Sequence, residues 1–181
     1  MISLKQKFTY LNLLIKILNH FERAVRRHKN RVKLFKLGLY DETTTKKLRI
    51  TSFDFAHSLL SLHEDFKKSH DYIQEIKSEE ISVIKLDDFV LEHNLKKIDL
   101  LKIDVEEVEY EVLKGGVDTL SNKIDSLMIE ISLIRKGRRS NNLIKVLDLL
   151  YECGFYLRNI YDSQKKVFGP LEFLNEIDCI L

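Results

Sequence analysis

The sequence predicts an α/β domain: a mostly parallel sheet with helices packed on it. Three observations carry this. The run from Ile98 to Ile103 is nearly continuous in apolar residues, as expected of a strand buried on both faces in the middle of a parallel sheet. A second run, Ser126 to Ile131, follows after a helix-like stretch that closes on Gly115-Gly116. A third stretch, Asn141 to Cys153, places Leu143, Val146, Leu147 and Leu150 at helical spacing, so strand and helix patterns alternate along the chain.

From the N-terminus, apolar residues recur at Phe8, Leu11, Leu14, Leu18, Phe21 and Val25, widened by Leu13 and Ile17. This period predicts one amphipathic helix from about Gln6 to Lys29. Val32 to Leu39 reads as a strand, Tyr40 to Thr44 as a turn and Lys47 to Thr51 as a returning strand, together a β-hairpin. Ser52 to Glu80 shows no sustained period and reads as a loop with helical pieces. Ile81 to Leu86 is β-rich, and Asp87 to His93 a short helix headed by an aspartate. After the strands and helices named above, Gly154 stops the last helix, and Phe155 to Tyr161 and Ile177 to Leu181 close the chain as strands. With 181 residues and no repeat or linker, a single domain over 1–181 is expected.

Bulk composition narrows the function only locally. Lys and Arg number 30 against 28 for Asp and Glu, a net charge of +2, which supplies no general attraction to nucleic acid or anionic lipid. Arg23, Arg26, Arg27, His28, Lys29, Arg31 and Lys33 do cluster, and such a cluster can neutralise phosphates. No aromatic residues interleave with them, so a solvated helix end is the favoured reading over a binding patch, and no nucleic-acid partner is expected. Cys153 and Cys179 sit in apolar runs without metal-ligand spacing and read as buried thiols of a cytoplasmic protein. The apolar stretch Phe8 to Leu18 is too short and too polar to span a membrane. The six histidines take no metal-ligand spacing, and no GxSxG elbow, Walker loop or GxGxxG turn occurs.

The informative stretch is Lys97 to Gly116, a strand that stops on Asp104 and turns directly into an acid-started helix. Ligands of open α/β sheets bind just outside the carboxyl ends of strands, where Asp104 and Glu106 stand. Glu106, Glu107 and Glu109 also fall in the first helical turn, where the helix dipole favours them without any further role. Asp104 differs, because a carboxylate ending a doubly buried strand is costly unless paired or used. Glu130 stands at the end of the next strand in the same way.

Three blocks, Val83-Ile84-Lys85-Leu86-Asp87-Asp88-Phe89, then Ile98 to Glu106, then Glu109 to Gly116, fall in an order and spacing that resembles the FkbM family of S-adenosylmethionine-dependent methyltransferases. The resemblance implies a Rossmann-like three-layer fold and methyl transfer to an oxygen of a sugar or other small-molecule hydroxyl. It implies S-adenosylmethionine as cofactor and a small-molecule or glycan acceptor as partner. On this reading Asp104, Glu106 and Glu130 are the candidate catalytic residues, and Asp41 and Asp104 the candidate cofactor-binding residues, with no metal.

Two departures from the family pattern accompany it. Glu107 replaces a glycine after the acidic pair, where glycine would let the backbone bend freely. The family's first strand with its glycine-rich cofactor loop, and its second strand with a ribose-binding acid, find no counterpart, and residues 1–30 supply a helix instead. In the family the first strand lies between the second and the fourth. The chain therefore reads as the C-terminal portion of such a domain, incomplete at its N-terminus. Either the hairpin moves beside Ile98–Ile103, or a sheet edge stays open for self-association. A noncatalytic binding module of the same fold is the alternative to an active enzyme.

Overall fold

Strands and helices alternate from residue 75 onward, and the parallel pairs among them define where a site can form. The computed structural model describes residues 8–11, 32–52, 59, 74–105, 108–132, 142–161 and 176–180. Its strands are β1 (Phe8–Leu11), β2 (Val32–Phe35), β3 (Gly38–Leu39), β4 (Thr44–Thr51), β5 (Glu75–Ile84), β6 (Leu101–Ile103), β7 (Leu127–Ser132), β8 (Asn159–Tyr161) and β9 (Glu176–Ile180). Its helices are α1 (Leu86–Glu92), α2 (Glu109–Lys114), α3 (Val117–Lys123) and α4 (Asn142–Glu152).

Among the described residues the strands form three sheets, ordered β1-β2, β3-β5-β4 and β6-β7-β9-β8. The pairs β1–β2, β3–β5 and β6–β7 are parallel, whereas β4–β5, β7–β9 and β8–β9 are antiparallel. The architecture is therefore mixed α/β, and less uniformly parallel than the apolar runs imply. Leu127, Ile129 and Ile131 alternate along β7 and are almost fully buried. They pack with Ile103, with Val112 and Leu113 of α2 and with Val146 and Leu150 of α4, and α2 lies against α4. Fully burying one such side chain contributes roughly 1.5–3 kcal/mol, so this layer holds β6 and β7 in place. A second cluster of Tyr40, Leu48, Ile81, Val83 and Val108 ties the β3-β5-β4 sheet to the segment that enters α2.

Several elements differ from expectation, each for a physical reason. Phe8–Leu11 is a strand, parallel to Val32–Phe35, and not the start of a helix. Phe-Thr-Tyr-Leu is strongly β-forming, and a short apolar run fits either period. A parallel pair needs a crossover; residues 12–31, which connect these two and carry most of the predicted helix and all of the basic cluster but Lys33, lie outside the described residues. The expected hairpin pairing is replaced: β4 runs antiparallel to β5, while β3 lies parallel on the opposite edge of β5. Glu75–Glu80, read as loop, is the polar half of β5. Val117–Lys123, unassigned in the sequence, is α3.

Asp87 does not cap its own helix. α1 is preceded by Lys85 without a side-chain cap, and the Asp87 carboxylate instead accepts hydrogen bonds from the backbone N–H groups of Thr119 (2.8 Å) and Asp118 (3.3 Å). It thereby satisfies two of the orphan donors at the start of α3. Gly115 and Gly116, read as a helix stop, are required for packing. A Cβ on Gly115 would lie 2.2 Å from the Tyr40 carbonyl oxygen, and one on Gly116 would lie 2.7 Å from Leu86 Cδ2. Gly154 does fit the expected stop, with a φ of +89° after α4. Cys153 is a buried free thiol; the side chain of Cys179 lies outside the described residues. Among the described residues no helix is long and apolar enough to cross a membrane.

Candidate active site

Asp104 stands just past the carboxyl end of β6, whereas Glu130, expected at the end of its strand, lies inside β7, whose ladder to β9 continues through Ile131 and Ser132. Ile103 pairs with Ile129 as the last pair of the ladder; Asp104 is the next residue after β6 and Glu130 the next residue within β7. Side chains alternate along a strand; Leu101, Ile103, Leu127 and Ile129 therefore share the face that meets the core, and Lys102, Asp104, Met128 and Glu130 share the other. The register continues onto β9, where Asp178 is the partner of Glu130.

The face bearing these acids is open. The sequence implies a strand buried on both sides, but Leu100 is 55% exposed and Lys102 and Asp104 are exposed. The desolvation argument for Asp104 therefore does not apply. Its side chain is half exposed and is paired with Lys102, Nζ to Oδ2 2.8 Å. Glu130 is half-buried and engaged, and Lys102 makes a further contact of its own. Glu106 and Glu107 lie outside the described residues.

Asp41 sits elsewhere in the network. Its Oδ2 accepts a 2.8 Å bond from Lys114 Nζ, at the last residue of α2, and its side chain is only 21% exposed. The bond and the charge of Asp41 push the Lys114 ammonium above its ordinary pKa. The same turn is held by Thr43, whose hydroxyl donates to Asp88 Oδ2 at 2.8 Å and accepts from the Lys85 N–H at 3.3 Å. Asp104 precedes α2 and Asp41 meets its far end. The six residues of α2 rise about 9 Å, and the two aspartates bond different lysines, Asp104 to Lys102 and Asp41 to Lys114.

Two acids were missed as interior groups. Glu109 and Glu111 are 4% and 9% exposed, and both are engaged. Acids in a first helical turn are ordinarily solvated dipole partners. The available signal is spacing: Glu109 precedes Val112 and Leu113 by three and four residues, which puts it on the buried face.

A carboxylate just past the end of a strand that has a parallel neighbour, where the chain turns toward a helix, stands where ligands of open α/β sheets bind. Residues 12–157 match the model of the methyltransferase FkbM domain. The chain belongs to this methyltransferase family. No curated protein matches it. Its fold is similar to the crystal structure of methyltransferase FkbM from Methylobacillus flagellatus KT, with a TM-score of 0.55 and 16% identity. That similarity covers 97% of this chain and 36% of the other, so this chain spans little more than a third of the solved protein's length.

Proposed function

We propose that this domain transfers a methyl group from S-adenosylmethionine to a hydroxyl oxygen of a sugar or other small molecule. The observation that carries the reading is the placement of Asp104 just past the carboxyl end of β6, beside parallel β7 with Glu130 inside that strand, in a chain of the FkbM methyltransferase family. S-adenosylmethionine supplies the electrophilic methyl group when bound. Its hydroxyl and ammonium groups are donors, which fits the accessible carboxylate of Asp104; Asp41, with Oδ2 taken by Lys114, offers Oδ1. Glu130 and Glu106 polarise the acceptor hydroxyl and take its proton, work suited to carboxylates within hydrogen-bond reach. Asp104 orients the reacting groups, where correct geometry lowers the barrier most.

A second reading, a noncatalytic module of the same fold, is favoured by one observation: the chain has six glycines and none of them forms a GxGxxG turn. One experiment separates the two. Calorimetric titration of the purified chain with S-adenosylmethionine, followed by transfer of labelled methyl to sugar acceptors, is expected to show binding and turnover that Glu130→Gln reduces at least tenfold. Absence of heat at millimolar ligand would leave the noncatalytic module standing.

A further inference from the structure

We propose that Lys102 is a positioning residue of the rim, holding the Asp104 carboxylate in one orientation on the open face of the sheet; the inference rests on the methyl-transfer reading above. Residues two apart on a strand share a face, and the two side chains meet at 2.8 Å in a charge-assisted hydrogen bond. The anchor and the anchored group differ in their support. Lys102 stands in the middle of β6, whose Leu101 N–H donates to the Ser126 carbonyl at 3.0 Å and whose Ile103 is 2% exposed. Asp104 lies one residue past the ladder, where the chain leaves for α2. Past the ladder, the 2.8 Å bond from the lysine sets the direction of the carboxylate.

The pair is too exposed to matter much for folding: side-chain exposures are 37% and 50%, a range in which ion pairs add little stability. Its consequence is geometric and electrostatic. Glu130 belongs to the neighbouring strand and follows Ile129, the partner of Ile103, and like charges close together on one face repel. The Lys102 ammonium on that face offsets the repulsion and holds Asp104 while Glu130 works on the acceptor.

The test uses the full chain with Lys102→Met and Lys102→Arg. Lys102→Met is expected to lower kcat at least tenfold and to raise KM for S-adenosylmethionine, which Asp104 contacts on this reading, with the melting temperature within about 2 °C of the parent. Lys102→Arg should recover most of the turnover. Unchanged kcat in Lys102→Met, or no recovery by arginine, overturns the proposal and leaves the methyl-transfer reading intact. A second readout is independent of turnover: nitrogen-edited NMR at low temperature should detect a slowly exchanging Lys102 ammonium that Asp104→Asn abolishes. Should the parent transfer no methyl group, the proposed function fails and this signal decides the tether. Its presence supports the positioning of Asp104, and its absence overturns it.

Discussion

Replacing Gly115 by alanine tests how the turn at Tyr40–Thr43 is seated on α2. Two effects oppose each other. Gly115 has φ −74° and ψ −1°, a conformation open to any residue, so alanine restricts the unfolded chain and on that ground alone should stabilise by about 0.4–1 kcal/mol. The new methyl, however, would lie 2.2 Å from the Tyr40 carbonyl oxygen and 3.2 Å from Asp41 Cα. These are backbone atoms, which cannot rotate away. The Tyr40 N–H is already bonded to the Ile84 carbonyl at 3.0 Å and Asp41 to Lys114, so either the turn or the end of α2 must shift by roughly 1 Å. Overpacking of this kind typically costs 1–3 kcal/mol, and a rigid backbone neighbour puts Gly115→Ala near the upper end, for a net loss of about 2 kcal/mol. For a chain of this length that is a fall in melting temperature of about 4–8 °C. Gly116→Ala is the internal control. Its Cβ would lie 2.7 Å from Leu86 Cδ2, which can rotate, and 2.9 Å from Leu86 Cβ, which can yield only with its backbone, so a loss of about 1–2 kcal/mol, smaller than that of Gly115→Ala, is expected. Urea unfolding followed by far-ultraviolet circular dichroism measures both. Gly115→Ala as stable as the parent, or less damaging than Gly116→Ala, would refute the close approach of turn and helix.

Two further outcomes follow from the same network. Asp87→Ala removes the acceptor for the Thr119 and Asp118 N–H groups and should lower stability by about 1 kcal/mol, with Asp87→Asn recovering part of it; hydrogen exchange should speed up at Thr119 rather than in α1. Lys114 and Lys97 are both raised above their ordinary pKa, by bonds to Asp41 and Asp125. Groups raised on folding stabilise fully below the unfolded lysine pKa, and that stabilisation disappears as pH rises through the higher folded value. Denaturant midpoints should therefore be level near neutrality and fall at alkaline pH beyond about 10, with a shallower fall in Lys97→Met plus Lys114→Met; an identical fall in the double variant counts against the assignment.

What the sequence reveals depends on whether the physical cause is local. α4 and the buried strand β7 are legible because Val146 and Leu150, and Leu127, Ile129 and Ile131, repeat at the periods of the elements they form. The polar half of β5 is not, since Glu75 to Ser78 are exposed and no alternation marks an inner face. α3 is equally silent. Asp118, Thr119, Ser121 and Asn122 are weak helix formers, and what holds α3 is a cap from Asp87, 32 residues earlier, with Leu120 buried beneath. At the candidate site, the position of Asp104 just past β6 is readable because it ends an apolar run, whereas Glu130, followed by Ile131 within β7, does not end its strand as expected. The engagement of Asp41 by a lysine 73 residues away leaves no local trace. The apolar run before Asp104 misleads about exposure: strand patterning reports that residues are apolar, while whether both faces are covered depends on neighbours contributed from elsewhere.

The position of β5 between a parallel and an antiparallel neighbour sets where the chain tolerates inserted or deleted residues. A one-residue slip exchanges the faces of everything beyond it. In the half from Ile81 to Ile84 it would expel Ile81 and Val83 from the core, displace Gly38–Leu39 from their partners and carry the Asp41 turn off the end of α2. In the half from Glu75 to Glu80 only the ladder to β4 responds, and that ladder already accommodates an irregularity between Ile50 and Thr51. Length variation among relatives of this chain should therefore collect before residue 81 and stop there, which makes Ile81 the outer limit of the part of the sheet on which the rim's geometry depends.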